Sequence, residues 1–172
     1  MRRTDEGLVP ETDGWFVLNA SEARWFDDGP LGHFTPFAGD VRFERAGFSI
    51  AVLEPGQPNG LYHREDDQED FLVLSGECLL LVEGEERPLR TWDFVHCPPG
   101  TEHIFVGAGD GPCVLLLTGT RTPGAKIFYP RSELAARHGA SADPETDEPD
   151  KAYEPFPEAK PTAYRKGWLP GA

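Results

Sequence analysis

Apolar residues along this chain come in short runs with a two-residue period, broken every few positions by glycine, proline or acidic residues. Between residues 59 and 119 the rhythm is tight. "GLYH", "EDFLVLSG", "ECLLLVEG", "ERPLR", "DFVHCPPG", "EHIFVGAG" and "GPCVLLLTG" follow one another at intervals that suit antiparallel hairpins. "EGEE", between Val82 and Arg87, reads as a hairpin tip. Upstream, "WFVL", "RWF", "VRF" and "GFSIAVLEP" are strand candidates separated by the turn-forming "DDGPLG" and "FAGD". Many short strands with regular turns predict an all-β sandwich or barrel. From Phe71 to Val82 the chain is apolar almost without interruption, whereas a half-exposed strand alternates with polar residues. Both faces of these strands are therefore expected to be covered, one by the barrel interior and the other by a second subunit or by the chain's own C-terminal part.

The texture changes after Gly119. "PRSELAARHG" predicts one short helix over 131–138, with Ser132 as N-cap and Gly139 as stop signal. Residues 140–172 are rich in proline and charge, too polar to build a core of their own. Yet Tyr153, Phe156, Tyr164 and Trp168 recur through them, and large aromatics are burial anchors. This tail is expected to drape over the barrel or over a neighbouring subunit. Three regions follow: N-terminal strands and arm (1–46), barrel core (47–119), and helix with extended tail (120–172).

A length of 172 residues fits one domain, and the 19 glycines and 17 prolines favour tight turns over long helices. Sixteen basic residues against 30 acidic ones leave a net charge of −14, which repels nucleic acid and anionic membrane surfaces, so neither is an expected partner. The opening "MRRTDEGLVPETDG" has no apolar h-region and no window reaches the length of a membrane span, so a cytoplasmic location is expected. Cys78, Cys97 and Cys113 are odd in number, widely spaced and set in apolar runs, which predicts buried free thiols and no disulfide or zinc knuckle.

The candidate chemistry lies in "LYHREDDQEDFLVLSGE", residues 61–77. On a strand, His63 and Glu65 point to one face. Glu69 follows after "DDQ", and "PPGTEH" sets a tight turn three residues ahead of His103. His-x-Glu, a further Glu and a distant His form a plausible four-ligand set for a divalent metal. Burying two carboxylates without a cation would cost on the order of several kcal/mol apiece. His96 is out of phase with Val95 and Cys97 and is expected at a surface or interface. His33 and His138, in turn and helix-end contexts, carry no expected role. Asp67 and Gln68 sit in the loop between ligands, where Gln68 is a candidate for substrate contact and Asp67 is expected to be solvated.

Residues 56–107 resemble the two motifs of the cupin family. The first, G-x5-HxH-x3/4-E-x6-G, is matched by Gly56, His63, Glu65, Glu69 and Gly76, and the second, G-x5-PxG-x2-H-x3-N, by Pro98, Gly100 and His103. Glu65 stands where the second histidine is usual, six residues separate Gly56 from His63, Trp92 replaces the opening glycine of the second motif, and Gly107 its closing asparagine. The resemblance implies an antiparallel jelly-roll β-barrel with a metal held by His63, Glu69 and His103. Glu65 is then either a fourth ligand or a general base beside a two-histidine, one-carboxylate centre. Manganese, iron or zinc suits such a mixed nitrogen and oxygen set. Phe71, Val73, Phe94 and Phe105 would wall a water-poor pocket. Two function classes follow: a small metalloenzyme (oxygenase, isomerase or lyase) acting on a small molecule, or a non-catalytic module that binds or senses a metabolite. Related barrels commonly pair back to back, which implies a homodimer.

Overall fold

The computed structural model describes residues 1–172. Its strands are β1 (Arg2–Thr4), β2 (Gly7–Val9), β3 (Trp25–Asp27), β4 (His33–Pro36), β5 (Ala46–Leu53), β6 (Arg64–Glu65) and β7 (Glu69–Ser75), followed by β8 (Glu77–Val82), β9 (Glu85–Arg90), β10 (Phe94–Cys97), β11 (His103–Ala108), β12 (Cys113–Thr120), β13 (Ile127–Phe128) and β14 (Lys160–Thr162). Two short helices, α1 (Glu133–Ala136) and α2 (Pro149–Ala152), lie between the last two strands. A seven-stranded sheet in the order β10-β7-β12-β5-β4-β3-β14 faces a three-stranded sheet, β11-β8-β9, and the pairs β1-β2 and β13-β6 complete the fold. The protein is a mostly-β jelly roll, as the hairpin rhythm predicts. No helix is long and apolar enough to cross a membrane.

Alternation along the strands builds the interior. Leu53, Phe71, Val73, Cys78, Leu80, Cys97, Phe105, Cys113 and Leu115 form one buried cluster between the two sheets. All three cysteines are buried free thiols. The chain crosses from β7 in the large sheet to β8 in the small one at Gly76, at φ 77°, where an added Cβ would stand 2.4 Å from the Pro112 carbonyl oxygen. Only glycine fits that turn.

The outer faces are covered by the chain's own C-terminal part. Trp25, Ile50, Val52 and Val114 pack outside the large sheet under Trp168, with Tyr164 and Leu169 beside it. On the small sheet, Leu81, Ile104 and Val106 pack against Ala135 of α1 and Ala140. Tyr153 and Phe156 pack on a third cluster of Leu61, Tyr129, Ala142 and Ala152. Helix α1 is capped by Ser132, whose hydroxyl accepts from the Ala135 N–H at 3.2 Å, and Gly139 ends the turn at φ 68°.

Two N-terminal strand candidates fail. "WFVL" and "VRF" are not strands, and Trp15 is 91% exposed. The edge of β5 is taken by "HFTP" instead, paired from His33↔Val52 to Pro36↔Ser49. A strand that ends in proline reads poorly in sequence, because proline lacks the ladder N–H. Phe94 also departs from expectation. It pairs with Leu72 and faces outward, 64% exposed, because Val95 and Cys97 hold the inward positions of β10.

Candidate metal centre

Three strands deliver the central side chains. His63 precedes β6 and His103 opens β11, and the two are joined by reciprocal backbone hydrogen bonds of 3.2 Å (His63 N–H to His103 O) and 2.9 Å (His103 N–H to His63 O). Their rings lie 4.9 Å apart. Glu69 opens β7 on the facing sheet, inward by alternation with Phe71 and Val73. The Pro98–Gly100 turn is tied to β6 by the Gly100 N–H, which donates to the Glu65 carbonyl at 2.7 Å, and this places His103 beside His63.

The Nε2 atoms of His103 and His63 lie 3.3 and 3.5 Å from Glu69 Oε2. The ligand atoms of these three residues all fall within 4.8 Å of one another. On the far side of each ring, Nδ1 meets a backbone carbonyl: Leu61 O at 2.7 Å for His63 and Thr101 O at 3.0 Å for His103. A carbonyl oxygen only accepts, so each Nδ1 carries a hydrogen and each neutral Nε2 turns a lone pair toward the carboxylate. Three electron-rich donors thus face one another, which requires a proton or a cation between them. Carbonyl-anchored imidazoles of fixed tautomer are the arrangement that metal-ligating histidines adopt, so the donor set fits a divalent ion.

The electrostatics agree. Burial pushes the Glu69 carboxyl upward, but hydrogen bonds and charge from His103 and His63 outweigh it and hold it at about 2. Burial pushes the His63 imidazole down, yet Glu69 reverses this and the net shift is upward. Glu65 is raised, first by burial and then by the Glu69 charge. Its Oε1 lies 3.8 Å from His63 Nε2, so it stands beside the compact group of three and not within it.

The group opens on a cavity of about 240 Å³, walled by Phe71, Leu117, Ile127, Tyr129 and Tyr153. Of the four apolar residues expected around it, only Phe71 lines it. Phe105 packs beneath, ring to ring with Phe71 at 4.5 Å, Val73 lies deeper in the core, and Phe94 is outside. Sequence reasoning missed Tyr129 and Ile127. They lie in "KIFYP", an apolar run assigned to the tail, and Ile127 pairs with Glu65 across β13 and β6.

The loop residues differ from expectation. Asp67 is buried, accepting from the Thr122 N–H at 3.1 Å and the Thr120 hydroxyl at 3.0 Å, so it ties down a turn and is not a solvated acid. Gln68 donates to Asp70 Oδ2 at 2.6 Å. The other oxygen of Asp70 meets His96 Nδ1 at 2.6 Å on the outer face, as the phase of β10 predicts for His96. His33 packs on Trp168 at 4.4 Å, and His138 meets Glu86 at 3.0 Å.

Two facing antiparallel sheets with histidines and a carboxylate gathered at one end define a jelly-roll barrel with a candidate metal pocket. Residues 49–119 match the family model for the cupin domain, and this match together with the jelly-roll fold supports a member of the cupin superfamily. Among solved structures, it is similar to a sugar phosphate isomerase from a cupin superfamily of Silicibacter pomeroyi, at 30% identity over 53% of this chain and 60% of that one, TM-score 0.49. It is also similar to a putative sugar phosphate isomerase from Acidithiobacillus ferrooxidans, at 26% identity over 57% of this chain and 65% of that one, TM-score 0.50. An RmlC-like cupin from Shewanella frigidimarina shares the fold at 17% identity and TM-score 0.55, over 64% of this chain and 95% of that one. The chain thus spans less than two thirds of the length of the first two. No curated protein matches it.

Proposed function

We propose that this protein is a small metal-dependent enzyme, with His63, Glu69 and His103 holding manganese, iron or zinc and a small molecule bound at the barrel mouth. The observation that carries this reading is the pair of Nδ1–carbonyl anchors, which leave both Nε2 lone pairs aimed at Glu69. A divalent ion there supplies a Lewis acid that polarises a substrate oxygen. Glu65, beside the centre with its carboxyl raised toward neutrality, is the proton carrier. The wall of Phe71, Ile127 and Tyr129 limits water at the reacting atoms. Among the oxygenase, isomerase and lyase classes, isomerisation is favoured. It needs one acid–base group beside a polarised oxygen, and the likeness to the Acidithiobacillus ferrooxidans protein supports it.

Elemental analysis of protein purified without chelator, followed by variants, tests the reading. His63→Ala is expected to lose the metal and the thermal stability that native-state binding confers. Unchanged metal content in that variant overturns the centre. Glu65→Gln is expected to keep the metal and to lower turnover roughly 10²- to 10⁴-fold, whereas loss of metal would assign Glu65 as the fourth ligand. A loaded protein that binds small molecules without converting any of them would be the non-catalytic module instead.

A further inference from the structure

The metal pocket is the inner end of a larger space. Glu65, Glu69, Leu117 and Ile127 also line a second cavity of about 920 Å³, whose wall carries Arg42, Arg121 and Lys126 as well. A chain with net charge −14 has carboxylates to spare, yet none lies within 4.0 Å of any of these three cations. Of the four acids around the cavity, Glu65 and Glu69 belong to the metal end and the Asp67 carboxylate is engaged by Thr120 and Thr122, so none is paired with the three cations. Arg121 is held in place by donating to the Phe43 carbonyl. Burial and then the neighbouring Arg42 charge push its guanidinium down, the mark of two cations crowded together without a counter-ion.

The floor between the two ends is bare. Glu69 pairs with Gly119 and Gly119 with Gly47, so three inward positions lie side by side across β7, β12 and β5, and two of them have no side chain. The Arg121 guanidinium rests over the last: a Cβ on Gly47 would stand 3.0 Å from its Nη2. Two strand spacings, about 10 Å, therefore separate the Glu69 position from the arginine, with nothing rising between them.

Building on the metal-centre reading, we infer that Arg121, Arg42 and Lys126 form an anion subsite, so that the substrate is a small polar molecule with metal-binding oxygens at one end and a phosphate or carboxylate at the other. Guanidinium groups suit both anions through paired N–H donors. The glycine floor lets the connecting atoms lie flat in the trough, and the apolar edge of Leu117 and Ile127 guides them toward the metal end.

Isothermal titration calorimetry with inorganic phosphate and with acetate tests the subsite on the full chain at low ionic strength. The protein is used loaded with Mn²⁺ and, separately, stripped of metal, as wild type, Arg121→Gln and Arg42→Gln. At least one anion is expected to bind the wild type in both metal states and to bind about tenfold or more weakly in Arg121→Gln, with metal content unchanged. Phosphate alone or acetate alone identifies the tail group. Arg42→Gln, at an exposed position that makes no salt bridge, gives the same direction of change if Arg121→Gln fails to fold. Equal affinity in wild type and both variants, or no binding of either anion, overturns the subsite. A wild type that binds anions through Arg121 yet holds no metal would overturn the metal centre and leave the subsite standing.

Discussion

At the scale of single residues, the protonation of the centre makes a prediction with a definite sign. Glu69, held at about 2, contributes stability that is present above its unfolded value near pH 4.3 and is lost as pH falls through about 2. His63 is shifted upward, so its contribution to the metal-free protein is full below about pH 6.5, its unfolded value, and is lost as pH rises through the raised folded value. The metal-free protein should therefore melt at a lower temperature as pH climbs from about 6 to 9. Added Mn²⁺ should stabilise more over the same interval, because an ion displaces the proton that the imidazoles otherwise share. Melting temperatures across that range, with and without metal, check both; parallel curves would refute proton–metal competition. The candidate ligands were legible in the sequence because a strand's two-residue period and a Pro-Gly turn fix side-chain direction locally. Arg42, Arg121 and Lys126 were not, since they meet only through pairing of β5 with β12 and the return of the chain after Gly119. Trp92 shows the limit from the other side. It keeps φ at 75°, the left-handed backbone of the motif glycine that it replaces, so the turn is preserved while the motif letter is not.

Among the elements, the C-terminal tail does more than cover apolar surface. The Tyr153 hydroxyl accepts the Leu61 N–H at 3.0 Å, and the Leu61 carbonyl in turn anchors His63 Nδ1 at 2.7 Å. Tyr153 thus positions a candidate ligand, His63, some ninety residues earlier in the chain. Tyr153→Phe leaves a buried N–H without its partner, at a cost of about 1–3 kcal/mol. It should also weaken metal affinity, as the loss of outer partners does at roughly 10- to 100-fold. Urea unfolding of the metal-free protein and a metal titration separate the two effects. Stability lost with metal affinity unchanged would make Tyr153 a packing residue only. The tail's aromatics were visible as anchors in the sequence, and their destination was left open between barrel and partner. Contacts of this kind depend on where Leu61 and Trp25 lie in space, and no local period encodes that. The strands from β7 to β12 were readable for the opposite reason, because each apolar run is bounded by turn residues within a few positions, although only β8 and β9 pair as a hairpin. "WFVL" misled because a β-rich run forms a strand only where a sheet edge is free to receive it.

For the whole molecule, the tail and α1 answer part of the question raised by the unbroken apolar run, since they cover Leu81, Ile104 and Val106 on one sheet and Ile50, Val52 and Val114 on the other. A strip remains. Phe94, Leu72 and Leu116 lie in register across β10, β7 and β12, with Trp92 at 72% exposure beside them and Phe48 diagonally across on β5. A second copy docking on this strip is the expected cover, and light scattering coupled to size exclusion should give about twice the 19.0 kDa chain mass. A monomer at micromolar concentration would leave the strip solvated and reject the dimer. The candidate ligands have a mechanical meaning at this scale as well. Glu69 belongs to the seven-stranded sheet and His103 to the three-stranded one, so any ion bound by both is a clasp across the open end of the roll. With the clasp shut, amide hydrogens of β11 near His103 should exchange slowly; chelation should speed them without unfolding the opposite end, around Cys78 and Cys113. Metal escape and the parting of the two layers would then be a single event, and the lifetime of the loaded state would be set by how often the barrel breathes.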